Sequence, residues 1–206
     1  FEYIDANGLG GATILELQTD YSTATESLPF IFTSNACITA SKPLTIRPAA
    51  GVAAPFIYTS TNTTATFIFD GGKYITIDGR PGGIGTNKYI SIQNTSSVAG
   101  SSGNSVLLKN ESSDNTLSYI DASAANINAA SSAVLTAVGT IPGVIAIGGT
   151  TLGFSGNGND NITISFCDIH SISSAGNLTV GIYSANGTNA GSTGNNDNVT
   201  ITDCNI

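Results

Sequence analysis

The chain has 206 residues, enough for one domain, and its 40% apolar and 10% charged side chains are the mixture of a folded core, not of a disordered segment. Its 24 Ser, 26 Thr, 20 Asn and 24 Gly favour turns and strand surfaces over helix interiors. The net charge is −8, and all six basic residues precede position 110 while seven acids follow it; this excludes nucleic acid as a partner and sets the second half against anionic polysaccharide.

In chain order, the first residues are Phe1-Glu2-Tyr3, an acidic start without the apolar stretch of a signal peptide, so the chain reads as a processed or partial product. Residues 1–43 are expected to form an N-terminal cap or first coil, and residues 44–206 the coils that follow. From there a threonine followed by Ile or Leu recurs as Thr45-Ile46, Thr76-Ile77, Thr116-Leu117, Thr163-Ile164 and Thr200-Ile201, at intervals of 31, 40, 47 and 37 residues. A period of about 39 residues, built from short strands and Gly/Asn-rich turns, marks a solenoid whose units bury their apolar faces by stacking.

Aligned on that threonine, the chain resolves into columns. Two places before the Ile/Leu column stand Leu44, Ile75, Asn115, Ile162 and Val199, so alternate residues face inward and the threonines outward. The next outward column is Arg47, Asp78, Ser118, Ser165 and Thr202. Beyond the strand, Tyr119, Phe166 and Asp203 share a column that accepts a charge and must lie outside. Inward positions 164, 167 and 169 are therefore spaced by three and then two residues, and the odd step marks a corner. Further strands are expected at Tyr89 to Ile92, Val106 to Leu108, Val144 to Ile147 and Val180 to Tyr183, three per coil.

The longest apolar stretch, Ala133 to Gly149, is broken by Gly139, Pro142 and Gly143, which predicts two strands around a turn and no membrane span. The expected fold is all-β, a right-handed parallel β-helix of about five coils. A sandwich or barrel is disfavoured, because the strand motif returns after about 39 residues, too far for a meander. The chain stops at Asn205-Ile206 within a repeat and without a polar cap, so it is expected to be a fragment of a longer protein, truncated at the C-terminal end.

Leu44-Thr45-Ile46-Arg47-Pro48, the run from Phe67 through Asp78-Gly79-Arg80, Asn115-Thr116-Leu117 and the two Asp-Asn-Ile/Val-Thr-Ile strands resemble the β-helical regions of large secreted and surface proteins of Bacteroidota. The likeness runs from about residue 10 to the end. It implies export by the type 9 secretion system and an adhesin-like or gliding-associated role, secreted or at the bacterial cell surface. Implied partners are extracellular glycans, other surface proteins or other segments of the same polypeptide. No catalytic residues and no cofactor come with the resemblance.

Several constellations are candidates for chemistry. Asp121 and Asp168 stack in one column with Asn205 next, as carboxylates do on β-helical glycosidases and lyases, with solvated turn acids as the alternative. The only histidine, His170, lies two residues from Asp168; no local pattern supplies a nucleophile for a triad. This face would serve a carbohydrate-active enzyme or glycan-binding module, the alternative to a non-catalytic structural segment. Ser155 to Thr163 matches a calcium nonapeptide at all but its first position, which makes Asn157, Asn159 and Asp160 candidate ligands for calcium, the one cofactor with a motif. Cys167 and Cys204 share an inward column, either as buried thiols or as a bridge, and Cys37 is left over. The threonine ladder could order water on an ice surface, but its neighbouring column begins with charges, so β preference explains it better. Seven Asn-x-Ser/Thr sites arise in a chain so rich in these residues and matter only in a eukaryotic secretory host.

Overall fold

The computed structural model describes residues 4, 8–98, 102–125, 143–148, 158–172, 180–184 and 195–206. Among them lie fifteen strands. The first coil supplies β1 (Thr13–Leu17) and β2 (Phe30–Thr33), joined through a 3-10 turn at Thr23–Thr25. The second supplies β3 (Leu44–Pro48), β4 (Phe56–Ser60) and β5 (Ala65–Asp70), and the third β6 (Ile75–Asp78), β7 (Ile90–Asn94) and β8 (Asn104–Lys109). β9 (Thr116–Ser118), β10 (Ile120–Ala124) and β11 (Ile145–Ile147) follow, then β12 (Thr163–Ser165), β13 (Asp168–Ser171) and β14 (Ile182–Ser184), and last β15 (Thr200–Thr202).

From β2 onward every third strand returns to the same wall, while β3 follows β1 on the first wall because the first coil holds only two strands. The first sheet runs β1-β3-β6-β9-β12-β15, the second β4-β7-β10-β13 and the third β2-β5-β8-β11-β14, and every pairing between these strands is parallel. The molecule is a parallel β-helix. A parallel ladder demands a long crossover, and here each crossover is itself the other two walls of the coil.

The register superposes the residues that the sequence columns align. Ile46 pairs with Ile77, Ile77 with Leu117, Leu117 with Ile164 and Ile164 with Ile201, and Leu15 of β1 extends the column by one coil. Ile77, Leu117 and Ile164 are at most 1% exposed, whereas Ile201, on the last strand of its sheet, is 47% exposed. Rings fill the interior of the early coils: Phe32 stacks on Phe69 at 4.5 Å, and Phe67 meets Phe30 and Tyr58 edge-on at 5.3 and 5.1 Å. Aliphatic side chains and small alanines take over later, among them Leu108, Ile120, Ala122, Ile147 and Ile169, all buried. Each such isoleucine or leucine contributes about 1.5–3 kcal/mol by leaving water.

Two outward surfaces are less bare than alternation alone implies. Asp78, Ser118 and Ser165 are 6–8% exposed, and Arg80 closes over Asp78 with bonds of 2.8–3.2 Å to both carboxylate oxygens. On the third sheet, Ile68, Leu107 and Ala146 form an outward column that is buried as well, so this wall has two apolar faces. Of the Ala133 to Gly149 run, residues 143–148 are described and hold β11; the others lie outside the described residues. Among the described residues no helix is long and apolar enough to cross a membrane.

Candidate functional site

The odd step in the inward pattern is a left-handed residue. Tyr119, Phe166 and Asp203 have φ of 51°, 56° and 53°, which turns the chain sharply between the first and second sheets while Leu117/Ile120 and Ile164/Cys167 stay inside. Bulky residues seldom adopt this conformation. Stacking helps hold it: the Tyr119 and Phe166 rings lie 4.7 Å apart and 12° from parallel, and the Arg80 guanidinium sits 4.4 Å from the centre of the Tyr119 ring. In the third coil the same corner is Gly79, where a Cβ would collide with the Tyr119 carbonyl of the coil above.

Past this corner, Asp121 and Asp168 stand opposite each other on β10 and β13, with Ser91 of β7 before them and Asn205 after. Both sequence candidates are thus brought together, and His170 joins them. Ser91 donates to Asp121 Oδ2 at 2.8 Å, His170 Nε2 lies 2.7 Å from Asp121 Oδ1, and Lys88 Nζ reaches Asp168 Oδ2 at 3.0 Å across the intervening coil. Sequence reading had not assigned Lys88 or Ser91 to this face; the register that carries them there spans a full coil. Both carboxylates are about one-third exposed on an open sheet surface. A glycosidase acid needs an apolar surround that keeps its carboxyl protonated, and its partner must face it across a bound sugar. Here each carboxylate instead faces a cationic or titratable side chain.

Burial pulls the His170 pKa down, but the Ser171 carbonyl and the Asp121 and Asp168 carboxylates outweigh it, so the net shift is upward from 6.5. A raised histidine pKa contributes stability that is complete below the unfolded value and is lost as pH rises through the folded value. The imidazole is 52% exposed, so solvent screening keeps the contribution under about 1 kcal/mol. The midpoint of thermal unfolding is therefore expected to fall slightly as pH rises from below 6.5 through the folded pKa, and His170→Gln is expected to flatten that slope. An unchanged slope in the variant would remove His170 from the linkage.

The calcium candidates occupy a different corner, just before the first sheet. Asp114, Asn161 and Asn198 are left-handed, with φ of 55–58°, which short polar side chains tolerate. They form a ladder: Asn161 donates to Asp114 Oδ1 at 2.9 Å and Asn198 donates to Asn161 Oδ1 at 3.1 Å. One place earlier, the Asp160 amide donates to Ser113 Oγ and the Asp197 amide to Asp160 Oδ1. One place earlier still, Asn159 Oδ1 accepts from the Ser112 amide, while Asn196 Oδ1 accepts from both the amide and the side chain of Asn159. Asn159 and Asp160 therefore join coil to coil, and Asn157 lies outside the described residues. Among the described residues no group of three or more His, Cys, Asp or Glu could hold a metal ion. These ladders were missed in the sequence, although Ser-Ser-Asp-Asn-Thr, Asn-Asp-Asn-Ile-Thr and Asn-Asp-Asn-Val-Thr align one above another.

Cys37, Cys167 and Cys204 are free thiols. Cys167 is fully buried, with its Sγ 3.2 Å from the Ser165 carbonyl, and burial pushes its pKa up to about 12, so it behaves as a small hydrophobe.

No family model matches the chain, and neither does any curated protein or solved structure.

Proposed function

We propose that this chain is a non-catalytic structural segment of a bacterial extracellular or surface protein, a stiff β-helical rod that provides reach and displays its outer faces to extracellular glycans or other surface proteins. The resemblance to exported adhesin-like proteins of Bacteroidota suggests that setting, including type 9 secretion. The observation that carries the reading is the use of charge. Four of the five ion pairs among the described residues tie one coil to another: Glu16 to Arg47, Asp70 to Lys109, Asp168 to Lys88 and Asp121 to His170. Charged groups engaged along the rod axis serve cohesion, whereas catalytic carboxylates converge on a cleft.

A glycan-binding face is the second reading, favoured by one feature. Phe166 is 40% exposed and stacked on Tyr119, two residues before Asp168, so aromatic edges border polar groups able to accept sugar hydroxyls. Incubation with a panel of neutral and anionic polysaccharides tests both readings. The expected result is no reducing-sugar release and no lyase absorbance. Product release abolished by Asp168→Ala would overturn the non-catalytic reading, and saturable retention on one glycan, weakened by Phe166→Ala, would replace the passive rod by the binding face.

A further inference from the structure

The second sheet starts only with β4, so the first coil lacks one wall. In its place the chain passes through Tyr21 and the 3-10 turn at Thr23–Thr25. The consequence is a half-open hollow of about 530 Å³ at the early coils. Its apolar lining includes Leu17, Phe32, Ile46, Phe67, Ile77 and Ile90. Small-molecule sites occupy about 300–1,000 Å³ with mostly apolar walls and a few convergent polar groups.

The polar groups at this cavity point one way. The Tyr58 hydroxyl donates to the Tyr21 hydroxyl at 3.3 Å, and the Glu26 carboxylate lies near enough to both to raise their pKa values. Burial is the largest cause that raises both phenol pKa values; Tyr58 adds to it at Tyr21, and the Glu26 carboxylate contributes at both, so both tyrosines keep their protons at neutral pH. Beside these phenols the cavity wall carries the Glu26 carboxylate, which only accepts. Glu26 and Asp20 both line the cavity, and neither has a salt-bridge partner among the described residues, while Glu16 beside them is held by Arg47 at 2.8 Å. An apolar hole with a negative pole selects an apolar body with a positively charged donor at one end.

We propose that this cavity binds a small amphiphilic cation, an aryl- or alkylammonium whose hydrocarbon part fills the space between Phe32, Phe67 and Ile90 and whose ammonium group meets Glu26. The site is independent of the Asp121/Asp168 face and of the role assigned to the rod.

Titration of the full chain with 2-phenylethylammonium and with its uncharged analogue 2-phenylethanol, followed by ligand-observed NMR, tests the assignment. The expected result is one saturable site for the ammonium with a Kd below about 1 mM. Glu26→Gln is expected to weaken the ammonium about tenfold and leave the alcohol unchanged, since only the cation gains a charge-assisted bond. Leu15→Phe, which adds volume at the cavity wall on a half-exposed residue, is expected to weaken both ligands with the circular dichroism unaltered. Absence of saturable binding, whether because the chain's own residues fill the space or because a second copy does, overturns the proposal. So does an ammonium affinity indifferent to Glu26→Gln, or affinities indifferent to Leu15→Phe.

Discussion

Ile164→Asp is expected to unfold the fifth coil and those in contact with it. Ile164 is fully buried and stacked between Leu117 and Ile201. The substitution removes about 1.5–3 kcal/mol of hydrophobic burial and leaves a carboxylate in the apolar column, for a total above about 4 kcal/mol. A whole domain is typically stable by only about 5–15 kcal/mol. In a solenoid, stability is a sum over units and their interfaces, so the damage should concentrate in β9, β12 and β15 and leave β3 to β5 protected longer. Hydrogen exchange resolved by peptide measures this directly. Thr163→Asp is the control: its side chain points outward and is only partly buried, and it should shift stability by less than about 1 kcal/mol. Parent-like melting of Ile164→Asp, or greater damage from Thr163→Asp, would mean that inside and outside are exchanged.

Asn115→Leu is expected to destabilise the protein by about 2–3 kcal/mol, although Leu, Ile or Val occupies the same column in every other coil from the second onward. Asn115 is completely buried. Its Oδ1 accepts from the Ile75 amide at 3.0 Å, and its Nδ2 donates to the Gly72 carbonyl at 2.8 Å and to Ser112 Oγ at 3.0 Å. Ser112 also donates to Gly72, so that carbonyl keeps a partner in the variant, but the Ile75 amide is left without the Asn115 acceptor inside the coil. An orphaned buried donor costs about 1–3 kcal/mol, which outweighs the gain from a larger apolar side chain in an already filled column. Chemical denaturation of the two proteins decides the point. A more stable Asn115→Leu variant would show that the polar bridge between the third and fourth coils is dispensable.

Much of the architecture was legible because side-chain direction in a strand has period two and a solenoid repeats it coil after coil. The columns at Ile46, Ile77, Leu117, Ile164 and Ile201, and the pairing of Asp121 with Asp168, follow from aligning one threonine. The alignment missed β1, because Ile14 occupies the position of that threonine and only the register with Thr45 reveals it. It also read Asn115 as an exception to an apolar column, since its three hydrogen-bond partners come from two different coils.

The residues specify the repeat, the inward and outward faces of each strand and the corner between Leu117 and Ile120, because these depend on local alternation and on spacing along one stretch of chain. Folding in three dimensions was required to unite Lys88 with Asp168 across a coil, to align Ser112, Asn159 and Asn196 into a ladder, to bury the outward column of Ile68, Leu107 and Ala146, and to leave a cavity where the first coil lacks its third wall. Those features arise from contacts between residues about 30 to 80 positions apart, set by how each coil sits on the next, and no pattern confined to a single repeat contains that information.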